Sequence, residues 1–167
     1  VTSLGFQIFA FLSAKRLRPG KKRGMIAKKD VIDVRRCVII GGAEIRTYDR
    51  VRQYFRPDDF FIYCDCGLRH QKALGAEPDL IVGDFDSAPK PETTGDMIIL
   101  PHVKDDTDTH YAAKWLCERG YRHIVMLGAL GGKRMEHTFS NVSTALYLAS
   151  NGVDVTLADE HLSLIHI

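Results

Sequence analysis

The chain is poor in several things, and each shortage closes a possibility. Its 167 residues hold only 4 cysteines, at 37, 64, 66 and 117, and no CxxC pair. Cys64-x-Cys66 lacks the partner ligands of a zinc site. The four thiols read as small core residues in a reducing cytosol. Long apolar runs are missing too. The best, Leu4 to Ala14, has eleven residues, too few to cross a bilayer. Basic residues follow it rather than precede it, the wrong order for a secretory signal. The expectation is a cytoplasmic protein with no membrane partner. There is no internal repeat, no low-complexity segment and no GxxxxGK[ST] loop. Net charge is also small, at +2.

That small total conceals an uneven chain. Residues 1–36 hold ten Lys/Arg and two Asp, while residues 37–167 hold thirteen Lys/Arg and nineteen Asp/Glu. A basic arm of this kind can serve nucleic acid, but the body is acidic and shows no recognised nucleic-acid motif, so no nucleic-acid partner is expected. The stretch KRLRPGKKRG has little apolar surface to bury. Residues 1–36 read as a basic extension, flexible or foreign to the folded body. Met25 is a plausible start within it, and residues 1–24 read as upstream translated sequence or an arm.

From Cys37 the pattern becomes regular. Strands are expected at Cys37–Ile40, Phe60–Cys64, Leu80–Val82, Met97–Leu100, Ile124–Leu127 and Val153–Leu157. Helical spacing covers Ile45–Phe55, Gly67–Leu74, Thr109–Arg119 and His137–Ser150. In the third helix Tyr111, Ala112, Trp115 and Leu116 share a face, with Asp108 as the expected N-cap. In the fourth, Phe139, Val142, Leu146 and Ala149 share one. Strands alternating with helices give an α/β fold. The expected architecture has three layers: a mostly parallel, Rossmann-like sheet with helices on both faces.

Chemistry gathers where strands end. The segment PDLIVGDFDS, residues 78–87, runs from a buried strand through Gly83 into Asp84 and Asp86. Residues i and i+2 of an extended chain point to one side. Two carboxylates about 4 Å apart repel by roughly 4 kcal/mol at an effective dielectric of about 20. A proton, a splayed geometry or a cation relieves that repulsion, and oxygen-only ligation suits Mg²⁺. Asp65 ends the second strand, and Asp105, Asp106 and Asp108 follow the fourth. Successive strand exits of a parallel sheet lie on one edge, where such sheets bind ligands.

A second constellation, GALGGKRMEHTFSN at 128–141, lies between the fifth strand and the last helix. Its glycines allow close backbone approach to a ligand. The helix start offers N–H groups and a positive dipole end to an anion. Lys133 and Arg134 can pair with phosphate oxygens. Carboxylates for a metal facing a cradle for phosphates is the division of labour in phosphoryl transfer.

Asp65-Cys66-Gly67, GDFDS at 83–87, Lys104 to Asp108 and the GALGG…EH…N segment resemble, in order and spacing, the catalytic domain of thiamine pyrophosphokinase. The likeness covers roughly residues 37–158. It implies transfer of a pyrophosphoryl group from ATP to the hydroxyl of thiamine, giving thiamine diphosphate and AMP, with Mg²⁺. It further implies that Asp65, Asp84, Asp86 and Asp105 hold the metal, with Asp108 beside them in catalysis. Ser87, Thr107, Gly131, Gly132, Arg134, His137 and Asn141 fall on the nucleotide side. The full-length family is expected to be homodimeric.

There are departures from the family pattern. Cys66 replaces a usual glycine, Glu136 replaces the usual Asp before His137, and GGKRMEH is one residue longer than the commonest form. The family continues into a C-terminal β-sandwich domain. Residues 159–167 read as a stub leading toward it, and HLSLIHI resembles translated adapter sequence. Two other readings remain open at this stage: a diphosphokinase acting on another alcohol such as a hydroxymethylpterin, and a glycosyltransferase using Asp84-Phe85-Asp86 as its metal motif.

Overall fold

The structure, a computed structural model, describes residues 36–84, 95–101, 106–161 and 163–165. Seven strands form one sheet in the order β4-β3-β2-β1-β5-β6-β7. They are β1 (Arg36–Ile40), β2 (Phe60–Cys64), β3 (Leu80–Gly83), β4 (Asp96–Ile99), β5 (His123–Leu127), β6 (Asp154–Ala158) and β7 (Ser163–Ile165). The first six pair parallel, and β7 runs antiparallel to β6. The central strands are short, β-branched and buried, as strands covered on both faces must be.

Alternation along β1 divides the interior in two. Cys37 and Ile39 face the core under α3 (Asp108–Glu118) and α4 (Met135–Ser150). Val38 and Ile40 face the core under α1 (Tyr48–Arg52) and α2 (Gln71–Leu74). The result is the expected three-layer α/β arrangement. Among the described residues no helix is long and apolar enough to cross a membrane.

Four local expectations are corrected. Helix α1 is shorter than Ile45–Phe55. Its expected leading residues are held by tertiary bonds instead: the Glu160 carboxylate accepts from the N–H groups of Arg46 and Thr47, and just before them Ala43 N–H donates to Gly128 O at 2.7 Å. The expected helix at Gly67–Leu74 splits into a 3-10 turn, Asp65–His70, and the single turn of α2. The N-cap of α3 is Thr107, whose Oγ1 accepts from His110 N–H at 3.2 Å; Asp108 is the first helical residue.

The face of α4 is also different. Asn141, Thr144, Ala145 and Leu148 are its buried residues, while Phe139 is 66% and Leu146 48% exposed. The inner stripe holds the polar Asn141 and Thr144 beside Ala145 and Leu148, and the bulky Phe139 and Leu146 stay outside. Small residues let α4 close on α3 and β6, and Thr144 takes a hydrogen bond with His110 Nδ1 at 3.1 Å across that contact.

Candidate functional site

Because β1 to β5 all run parallel, their carboxyl ends lie on one edge of the sheet. Between β1 and β5 the chain order reverses, since β2, β3 and β4 lie on one side and β6 on the other. Such a switch point opens a crevice between the two outgoing loops. Here the loops touch at glycines. A Cβ on Gly41 would stand 2.6 Å from Gly128 O, so neither strand exit tolerates a side chain. Gly41 N–H donates to Leu127 O at 2.8 Å, which continues the β1–β5 ladder into the crevice floor.

A cleft of ≈ 1190 Å³ occupies this edge. Asp65 and Asp84 line it, with Thr107 and Asp108 beside them. Asp65 opens the 3-10 turn after β2 with φ 40, a left-handed conformation that a non-glycine residue rarely adopts. One of its carboxylate oxygens accepts from Cys66 Sγ at 3.0 Å. That bond, before partial burial, pushes the Cys66 thiol up. Cys66 is therefore an exposed residue at the site and not the core residue expected; Cys37 and Cys64 are buried and Cys117 is intermediate. Asp106 also lines the cleft but is engaged by Lys114 Nζ at 2.6 Å, which lowers its carboxyl below the usual range. Asp86, Ser87 and Asp105 lie outside the described residues. Among the described residues no three His, Cys, Asp or Glu side chains stand together as metal ligands.

Gly131, Gly132, Arg134, His137 and Asn141 line the same cleft from the β5–α4 side. Gly131 and Gly132 have φ 71 and 81, which only glycine adopts without strain. No side chain caps the start of α4. Arg134 is exposed and donates to Glu136 at 2.8 Å, and that pairing holds the Glu136 carboxyl below the usual range. Asn141 is different in kind. It is buried, and its Nδ2 donates to Ala129 O at 2.7 Å, so its amide braces the loop.

Sequence reasoning missed one wall of the cleft, formed by Ala43, Ile45, Tyr48, Arg69 and His70. Arg69 and His70 follow Asp65 by one helical turn, and that spacing was the available signal. Their importance is tertiary: both reach the β1–α1 loop.

The comparison with family models gives a match over residues 51–157 to the family described as thiamin pyrophosphokinase, catalytic domain. The chain belongs to this family. Among solved structures, the thiamin pyrophosphokinase from Geobacillus thermodenitrificans is 28% identical with a TM-score of 0.62, covering 74% of this chain and 59% of that one. A thiamin pyrophosphokinase family protein from Enterococcus faecalis is 28% identical with a TM-score of 0.59, covering 77% and 63%. The thiamine pyrophosphokinase from Bacillus subtilis, 20% identical with a TM-score of 0.61 over 75% and 60%, shows likeness of fold. This thiamin pyrophosphokinase-family chain thus spans about three fifths of the length of the first solved structures that it matches. No curated protein matches it.

Proposed function

We propose that this chain is the nucleotide-binding part of a thiamine pyrophosphokinase, with residues 37–158 as its catalytic domain. The reaction moves a pyrophosphoryl group from ATP to thiamine. The thiamine hydroxyl oxygen bonds to the β-phosphorus, and the bond from that phosphorus to the α,β-bridging oxygen breaks. AMP leaves with the electron pair, and the hydroxyl proton passes to water or a phosphate oxygen. One observation carries the reading: in a chain of this family, carboxylates and a glycine-rich cationic loop face one cleft at the β1–β5 switch point.

Asp65 and Asp84 offer oxygen donors of the kind that a hard divalent cation takes. Asp86 and Asp105, outside the described residues, would complete the set for Mg²⁺. Bound there, the ion would neutralise phosphate charge and orient the triphosphate. The protein's own part is positioning. The backbone at Gly131 and Gly132 and the open start of α4 favour an anion, and Arg134 and Lys133 add charge from solvent. His137, half-exposed in the first turn of α4, and Asn141 border the same side. Asp108 and Thr107, at the start of α3, line the same cleft, and Ser87 belongs to the motif that follows Asp84. A loose transition state needs such orientation more than a strong base. The cytoplasm and a homodimer fit a soluble biosynthetic enzyme of this family.

The test is calorimetric titration of Mg·ATP into the chain, followed by AMP release with and without thiamine. Asp84→Asn and Asp65→Asn are expected to weaken Mg·ATP binding at least about tenfold, the cost of losing one charge-assisted contact of roughly 1.4 kcal/mol. Equal affinity in all three proteins, or binding of a sugar nucleotide in preference to ATP, would defeat the reading.

A further inference from the structure

The loop after β1 forms one wall of the cleft, and two consecutive side chains of the 3-10 turn seize two consecutive carbonyls of it. Arg69 Nη2 donates to Gly42 O, and His70 Nε2 meets Ala43 O at 2.9 Å. On its other side the loop is tied to the sheet by Ala43 N–H donating to Gly128 O. His70 is only 3% exposed, and its second nitrogen, Nδ1, meets Tyr48 Oη at 2.9 Å.

The partners fix the tautomer. A carbonyl oxygen cannot donate, so the proton sits on Nε2 and is given to Ala43 O. Nδ1 is then an acceptor, and the Tyr48 hydroxyl donates to it. Arg69 Nε, 3.3 Å from His70 Nε2, lies alongside an N–H that is already committed. Both ring nitrogens are therefore satisfied in the neutral form. The titratable or charged side chains that touch His70 are Tyr48, from α1, and Arg69, from its own turn. Neither is an acid that would welcome a proton on the ring.

We propose that Arg69 and His70 are positioning residues: together they clamp Gly42–Ala43 as a rigid wall of the cleft, and His70 does so most firmly while neutral, since the clamped ring is buried beside Arg69. The clamp is a property of the fold, and its effect on nucleotide rests on the reading of the cleft given above. A proton on His70 would place a second positive charge beside Arg69 in a buried position. Burial first, and Arg69 after it, hold the imidazole below its ordinary value, while its bond to Ala43 O works the other way. With the folded value depressed, the unfolded or opened state binds more protons. The clamp is then strongest above about pH 6.5 and weakens as the pH falls from there through the depressed folded value.

Hydrogen exchange of the full chain tests the clamp without any ligand, with Mg·ATP titration beside it. After correction for intrinsic rates, peptides spanning residues 41–47 should stay protected at pH 8 and open at pH 5.5. His70→Leu should open them at both pH values and weaken Mg·ATP binding about tenfold, the effect of a buried carbonyl left without its donor. His70→Gln carries a donor and an acceptor but no titrating group. It should restore protection and abolish the pH dependence. Protection of β5 serves as the internal check that each variant is folded, and Arg69→Ala, which removes the donor to Gly42 O, is the second route if His70→Leu is not. Unchanged exchange at 41–47 in both His70→Leu and Arg69→Ala overturns the clamp. Increased exchange with unchanged Mg·ATP affinity overturns its link to nucleotide. Absence of Mg·ATP binding in the unmodified chain overturns the functional reading, and exchange alone then decides the clamp.

Discussion

A Cβ on Gly83 would stand 3.2 Å from the Cα of Asp65. The last residue of β3 is thus pressed against the first residue beyond β2, and Asp84 leaves its strand directly beside Asp65. The pairing of two acids at this edge depends on a missing side chain. Gly83→Ala has no positive φ to contend with, so its backbone is compatible with alanine. The methyl must instead push Asp65 away by a few tenths of an ångström. Mg·ATP affinity is expected to fall several-fold while the melting temperature moves by no more than a few degrees, as for about 1 kcal/mol of overpacking. Titration and thermal unfolding of the same variant separate the two effects. A large drop in melting temperature with full affinity would show that Gly83 serves packing alone.

The opposite edge of the sheet gives a stability control. Arg36, at the start of β1, pairs with Asp59, whose side chain is 1% exposed, just before β2. Asp59 also accepts from Arg56 N–H at 2.7 Å. Asp59→Ala would strand a largely buried guanidinium and is expected to cost about 3–5 kcal/mol. Urea unfolding measures this. Since the pair lies at the amino ends of the strands, the fraction that remains folded should bind Mg·ATP normally.

At α3 the cap and the site separate. Thr107 Oγ1 satisfies His110 N–H, so Thr107→Ala is expected to cost about 1 kcal/mol and Thr107→Ser much less. Asp108→Asn leaves that cap intact. It should spare stability and reduce AMP release, and the comparison of the two positions by denaturation and turnover checks the division.

The strands are readable because a doubly covered sheet leaves no choice: runs such as Cys37–Ile40 and Ile62–Cys64 are buried on both faces. Parallel strands then carry every exit to one edge, which is why Asp65 and Asp84, distant in sequence, line one cleft. What was not readable depended on contacts across the chain. The start of α1 is decided by Glu160, 114 residues from Arg46. The face of α4 turns inward on Asn141 and Thr144 as well as Ala145 and Leu148, and hydrophobic periodicity does not place polar residues inside. Cys66 is exposed because it lies on the 3-10 turn that leaves β2, while cysteine as a type favours the interior. Arg69 and His70 gain their meaning only when Gly42 and Ala43 are folded back against them.

Asn141 offers the sharpest separation of ligand from scaffold. The family resemblance assigns it to the nucleotide side, yet its Nδ2 is spent on Ala129 O within the protein. Removing that donor leaves a buried carbonyl unsatisfied, a cost of about 1–3 kcal/mol. The loop it braces runs from Gly128 to Gly132, so affinity should suffer through disorder of the cradle rather than through one lost contact. Asn141→Ala is therefore expected to lower both the melting temperature and Mg·ATP affinity. Asn141→Asp should be worse, since a carboxylate cannot donate to Ala129 O and would repel it. His137→Ala, at a half-exposed position on the same helix, is expected to lower affinity alone. If Asn141→Ala keeps its melting temperature and loses only affinity, the amide acts on the nucleotide directly and the brace is incidental.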